Sequence, residues 1–386
     1  MTEWIKPGTS FDFMGRKRIW LYSSWGATGL SLLLLLVNVF ARGSALNYGN
    51  DFKGGSELTI EFSRQVDPAE VRSALARHGF GDAEVVRVQE KDKNLFIVRL
   101  GEVSAYSKDQ IEAARKALAA RFKDEGPMRL DFSEGGDKIF VRFGKAVAAD
   151  ALDKGLRAAG ISPQNIESFG RPDDHTYQVT LVGLDHEMRV AFEEGLGKGA
   201  VKDIPQIESV GAKVGAQLRA DGIRSVLYTL ILILLYVAIR FNFEFAPGAV
   251  IALAHDVVIV VGFYAISWKE FSLQSVAVLL TIGGYSINDT IVVFDRIREN
   301  VTRMRDRRMD QLINSSINET LSRTILTSLT TVFTTMAVWY FVHGPVRDFA
   351  LAMTIGIAVG TYSSVCVASP LYYWVHERSA HRAKPV

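Results

Sequence analysis

Four ionisable side chains interrupt apolar stretches of this chain: His255, Asp256, Asp289 and Arg323. An ionisable group at hydrocarbon depth is costly, so such groups are kept for ion pathways, proton relays or buried pairs. Asp289 closes the stretch Gly283-Gly284-Tyr285-Ser286-Ile287-Asn288-Asp289-Thr290, in which Ser286, Asn288 and Thr290 can hydrogen-bond it or hold water. A carboxyl in that setting ionises at high cost unless it meets a partner, and that balance is what a reversible proton carrier needs. Arg323 is followed by Thr324, Thr327, Ser328, Thr330, Thr331, Thr334 and Thr335. The hydroxyls read either as a polar wall for water and protons, with Thr327 and Thr331 as candidates, or as small residues packing helices closely. On antiparallel helices Asp289 and Arg323 fall at matching depth, as a switchable contact or a static ion pair. His255 and Asp256 either extend a proton path or supply structural hydrogen bonds. Adjacent helical residues point ~100° apart, which predicts that these two do not form one tight site.

No cluster elsewhere has the residues for catalysis or metal binding. His78, His175 and His186 are scattered without metal-ligand spacing. The glycine pairs lack the strand–loop–helix context of a phosphate site. The single cysteine, Cys366, excludes an intrachain disulfide framework and reads as a small apolar packing residue. The chain reads as a non-enzyme without a cofactor, with protons as the coupling ion.

The elements that position these groups follow from hydropathy. The chain has 386 residues, 48% of them hydrophobic, and a net charge of +2, with charge-free runs alternating with soluble-type sequence. Six runs approach the ~20 apolar residues that cross a bilayer: Ile19–Ala41, Ser225–Ile239, Gly248–Trp268, Ser272–Phe294, Ile325–Val342 and Phe349–Trp374. The first follows Arg16, Lys17 and Arg18 but is too long for a signal-peptide core, so it reads as an uncleaved anchor. Positive charge concentrates at 1–18, in the loop 296–320 and in the tail 377–386 (Arg378, Arg382, Lys384), which places both termini in the cytoplasm. Arginines without interleaved aromatics give no support for nucleic-acid binding.

Residues 42–221 are then external. Strand patterns at Ser56–Phe62, Glu84–Val88 and Leu95–Leu100 and helices at Asp67–Gly79 and Ser107–Phe122 suggest one unit, about 51–124. Strands near Lys138–Phe143, Asn165–Phe169, Thr176–Val182 and Gln206–Val210, with helices at Val147–Gly160 and from Asp185, suggest a second, about 129–212. Asp51-Phe52-Lys53-Gly54-Gly55 is echoed by Asp131-Phe132-Ser133-Glu134-Gly135-Gly136, and Val71, Leu75 and Gly79 by Leu152, Leu156 and Gly160. The expected fold is an α-helical polytopic membrane protein with six transmembrane helices in residues 19–41 and 222–376, and an inserted α+β ferredoxin-like external domain of two related units.

Ser286–Asn300 (SINDTIVVFDRIREN), with Asp51–Gly55 (DFKGG), Gln206–Gly215 (QIESVGAKVG), Ala254–Asp256 (AHD) and Leu321–Thr331 (LSRTILTSLTT), resembles the motifs of the SecF family in the same order. The resemblance implies a SecD-type partner, association with the SecY–SecE–SecG channel and with YajC, and an unfolded exported polypeptide as substrate. It implies membership of the resistance–nodulation–division superfamily, a multi-pass position in the bacterial inner membrane with lipid contact, and a periplasmic location for the large domain. It further assigns proton conduction to Asp289 and Arg323. The family carries a single ferredoxin-like unit, so the second one here is a departure.

Overall fold

The structure is a computed structural model and describes residues 10–88, 93–101, 108–132, 138–171, 174–181, 184–241 and 243–382. Ser107, Ser133 to Gly136 of the echoed motif, Val182 and Lys384 lie outside the described residues. In chain order the elements begin with α1 (Lys17–Arg42), β1 (Asn47–Tyr48), α2 (Asn50–Lys53), β2 (Gly55–Phe62), α3 (Pro68–Arg77), β3 (Glu84–Val88) and β4 (Leu95–Leu100). They continue with α4 (Lys108–Arg121), β5 (Arg129–Phe132), β6 (Lys138–Arg142), α5 (Ala149–Ala158), β7 (Pro163–Ser168), β8 (Thr176–Leu181), α6 (Leu184–Leu196) and β9 (Val201–Val210). The remainder is α7 (Ala212–Arg240), α8 (Ala246–Ser267), β10 (Glu270–Phe271), α9 (Leu273–Arg303), α10 (Met309–Phe341), α11 (Pro345–Ser363), a π-helical turn at Ser364–Ala368, and α12 (Ser369–Arg382).

Two compact units result, residues 50–218 and the remainder of the chain. Among the described residues, six helices are long and apolar enough to cross a membrane: Lys17–Arg42, Val214–Arg240, Ala246–Ser267, Leu273–Arg303, Met309–Phe341 and Pro345–Ser379. The faces of α1 are inverted relative to a helix of a soluble protein. The buried residues of α1 are Ser24, Thr28, Ser31 and Asn38, whereas Leu30, Leu32, Leu33, Leu36 and Phe40 are exposed. With no hydrophobic drive between helices in lipid, small and polar residues make the helix contacts and leucines face outward. The Gly356/Gly360 pair of α11 does the same against α9. A Cβ on Gly360 would stand 2.9 Å from Ser286 Cβ, so only glycine lets α11 come this close. A two-stranded parallel sheet pairs β1 with β10. At the other end of this bundle Phe245, Phe294 and Tyr372 form an aromatic core, with Met14 buried in the same cluster.

The inserted unit contains two four-stranded antiparallel sheets, ordered β3-β4-β2-β9 and β5-β6-β8-β7. Local signals work as the sequence implies: Asp67 Oδ1 accepts from Ala69 N at 2.7 Å as the N-cap of α3, with Pro68 in its first turn. The partition at about 51–124 and 129–212 does not hold, because the units are nested rather than consecutive. β9 pairs with β2 from Gly55–Val210 to Phe62–Val201 and so closes the first sheet. Met188 and Phe192 of α6 are buried with Leu58, Val71, Leu75 and Phe96. Leu118 and Phe122, assigned by sequence to the first unit, are instead buried with Ile139, Leu152 and Leu156 of the second. β5, which holds Asp131 and Phe132 of the echoed motif, pairs with β6 as the edge of the second sheet. The second unit is thus a ferredoxin-like fold whose second helix and last strand come first in the chain, inserted between β4 and α6.

Candidate functional site

Asp289 sits in the middle of α9 and is 3% exposed. Its Oδ2 accepts a hydrogen bond from Ser328 Oγ of α10 at 3.3 Å, long for an O–H···O contact. Ser328 Oγ in turn lies 2.6 Å from Thr361 Oγ1 of α11. Thr361 Oγ1 also lies 2.8 Å from the Ile357 carbonyl, so its one hydroxyl proton has two alternative acceptors. One turn before Ser328, the Thr324 hydroxyl is buried without a hydrogen-bond partner. The result is a buried carboxyl at the head of a hydroxyl chain running across three helices.

The second buried carboxylate has different surroundings. Asp256 of α8 is fully buried, and its Oδ2 accepts from Ser286 Oγ of α9 at 2.6 Å and from Ser363 Oγ of α11 at 2.7 Å. Its Oδ1 is 2.9 Å from His255 Nδ1. The expectation that His255 and Asp256 do not form one tight site is therefore corrected: their Cβ atoms diverge, but Nδ1 lies close to the backbone and reaches the next side chain. Asp256 has three contacts and ties three helices together, whereas Asp289 has a single long one among the described residues.

The remaining predicted residues divide. Ser286 and Thr290 are buried, with Thr290 Oγ1 donating to the Ser286 carbonyl at 3.2 Å. Asn288 is exposed on α9 and faces away from both carboxyls. Arg323 is exposed on α10 and makes no ion pair within 4.0 Å among the described residues, though it stands within electrostatic range of Asp289. The two are not in contact; Ser328 is the residue that touches the carboxyl. Thr327 and Thr331 donate to the Arg323 and Thr327 carbonyls of their own helix at 3.0 and 2.9 Å, and Thr331 also lies 3.2 Å from Tyr285 Oη. Both hydroxyls thus place their protons on carbonyls of α10 or on Tyr285 and touch neither buried carboxyl. Ser328 was visible in the sequence only as one member of the hydroxyl run after Arg323, and Thr361 and Ser363 were not singled out. The signal for Thr361 and Ser363 was the hydroxyl cluster Thr361–Ser364 in an uncharged apolar run. Among the described residues no group of His, Cys, Asp and Glu is arranged to hold a metal ion.

Comparison with known proteins decides the family. The model of the "Protein export membrane protein SecD/SecF, C-terminal" family matches residues 194–378, and that of the "SecD/SecF GG Motif" matches 44–66. The protein translocase subunit SecF of Magnetococcus marinus is 33% identical over 371 residues, which cover 94% of this chain and 91% of that protein. The chain belongs to the SecD/SecF family. The protein translocase subunit SecDF of Thermus thermophilus is 46% identical to it over 259 residues, 66% of this chain and 35% of that protein. The crystal structure of SecDF, a translocon-associated membrane protein from the same organism, superposes with a TM-score of 0.61 at 32% identity. That match covers 96% of this chain and 39% of the SecDF chain, so this SecF-like chain spans well under half of the fused protein. Six apolar helices and this family make the chain a multi-pass membrane protein with an auxiliary role in Sec export.

Proposed function

We propose that the chain works with a SecD-type subunit to drive late steps of polypeptide export with the proton gradient, and that Asp289 carries the proton. The observation that carries this reading is the contrast between the two buried carboxyls: Asp256 has three contacts of 2.6–2.9 Å, and Asp289 holds one 3.3 Å contact at the end of a hydroxyl chain. Arg323 tunes the Asp289 charge from a distance. The energy scale is adequate, at ~2.3 kcal/mol per charge per 100 mV.

A SecD-type partner is supported by the SecDF relative and by one face of the bundle. Arg323, Thr327, Thr330 and Thr334 lie at helical spacing on one exposed face of α10, a helix otherwise apolar enough to span. Polar groups at that depth are costly against lipid and suit a second helical bundle, as in transporters built from two related halves. The leucine-rich outer faces of α1 and α7 suit membrane lipids. The proposed setting is the bacterial inner membrane, with both termini cytoplasmic and residues 50–218 periplasmic. There the inserted unit acts beside the SecY–SecE–SecG channel and YajC on an unfolded polypeptide.

Asp289→Asn tests the reading, since Asn keeps the size and cannot ionise. In vesicles holding the variant, its partner subunit and the channel, proton flux and proton-dependent export are both expected to be lost with assembly intact. Retention of both would leave a non-conducting assembly factor as the better reading.

A further inference from the structure

Three consecutive side chains of α11 reach three different helices. Thr361 meets Ser328 of α10, the hydroxyl that donates to Asp289. Ser363 donates to Asp256 of α8. Between them Tyr362 Oη meets α1: it lies 2.9 Å from Ser24 Oγ and 3.1 Å from Ser23 Oγ, and donates to the Trp20 carbonyl at 3.1 Å. The Tyr362 ring also stands edge-on to Trp20, with centroids 6.2 Å apart. Successive helical side chains diverge by ~100°, so one turn can hold α10, α1 and α8 at once. The π-helical turn follows immediately, with all five of its residues buried and Ser369 Oγ donating to the Ser364 carbonyl at 3.2 Å. A π turn carries one extra residue in the helical ladder, and such turns concentrate at functional sites.

We propose that Tyr362 is a positioning residue that couples the protonation state of Asp289 to α1, the helix that continues in the chain towards the inserted unit. This rests on the Asp289 reading above. With Asp289 ionised, Ser328 donates to it and Thr361 donates to Ser328. A proton arriving on Asp289 turns that carboxyl into a donor. Ser328 then accepts from Asp289 and points its own proton at Thr361, whose hydroxyl turns to the Ile357 carbonyl, 2.8 Å away. One proton thus reverses the direction of the whole chain, and no covalent bond in the helices changes. Thr361 and Tyr362 share one turn, so repacking of α10 against α11 that follows the changed Thr361–Ser328 bond is carried to the Tyr362 anchor on Trp20–Ser24. The Asp256 contacts hold Ser363 in place beneath them.

The test uses the complete complex with partner subunit and channel in vesicles, carrying Tyr362→Phe. Phe keeps the ring and removes the hydroxyl. Export per proton is expected to fall about two- to tenfold, what one lost hydrogen-bonding hydroxyl is worth, with proton flux within about twofold of wild type. The double variant Ser23→Ala/Ser24→Ala weakens the same junction from the α1 side and should give the same split if Tyr362→Phe folds poorly. An unchanged ratio of export to flux in both variants overturns the proposal. So does an equal loss of the two activities, which would make Tyr362 only a support for the proton site. Asp289→Asn measured in parallel reports on the proton-carrier reading alone, so its failure is read separately from that of Tyr362.

Discussion

Replacing Asp256 by alanine removes the acceptor that joins α8, α9 and α11. Two interhelical hydroxyl bonds are lost, from Ser286 at 2.6 Å and Ser363 at 2.7 Å, along with the contact to His255 at 2.9 Å. In water-soluble cores each charged acceptor would be worth ~1.5–3 kcal/mol. Within a membrane the unfolded reference also finds partners, and interhelical bonds average ~0.6 kcal/mol with a maximum near ~1.7. Ser363 has the Gly360 carbonyl at 3.1 Å as a fallback, which lowers its share. The expected loss for Asp256→Ala is therefore about 1–3 kcal/mol. Asp256→Asn should cost much less. Its amide oxygen can face both serines while its NH2 meets His255 Nδ1, provided the imidazole moves its proton to Nε2. The assay is equilibrium unfolding of purified protein in mixed detergent micelles, with wild type and both variants compared at one pH. The reasoning is refuted if Asp256→Ala is as stable as wild type. It is also refuted if Asn is as damaging as Ala, since charge rather than hydrogen-bond geometry would then hold the helices.

Two further outcomes follow from contacts within each unit. Asn314 Oδ1 accepts from Phe13 N and Met14 N at 2.8 and 3.2 Å, and Asn318 Oδ1 accepts from Phe11 N at 2.8 Å, while both amides donate to the Phe11 carbonyl. Asn314→Ala/Asn318→Ala is expected to raise hydrogen exchange at Phe11, Phe13 and Met14 about tenfold or more, at ~1 kcal/mol per bond lost; unchanged protection would show that burial of Met14 anchors the segment unaided. In the inserted unit, the hydrogen bonds that His78 donates to the Glu194 carboxylate of α6, 2.9 Å away, and to the Ala74 carbonyl raise its pKa above 6.5. A raised folded-state value means that this junction stabilises fully below about 6.5 and is lost as pH rises through the folded value. Exchange protection of α3 and α6 should therefore decline across that window in wild type and not in His78→Gln, and a pH-independent wild type would count against the link.

Much of the local structure was legible in sequence because it depends on neighbours in the chain. Six apolar runs, the Asp67 cap with Pro68, and the period-two strands declare themselves within a few residues. So did the burial cost of Asp289 and Asp256, since a carboxyl in a membrane span is costly wherever the chain then packs it. The repeat of Val71, Leu75 and Gly79 in Leu152, Leu156 and Gly160 was also visible, because β2–α3 and β6–α5 are equivalent in both units. The nesting was not. α4 and α6 are both short amphipathic helices, and which sheet each covers is decided by the pairing of β9 with β2, 139 residues apart from Phe62 to Val201. The relay was likewise hidden. Ser328, Thr361 and Ser363 look like any small residues in a span, and only the close packing of α11, permitted at Gly360, brings them to the two carboxyls. The sequence by itself determined which groups are costly to bury; the tertiary structure decided which of them is more completely hydrogen-bonded, because that depends on donors from three helices distant in the chain.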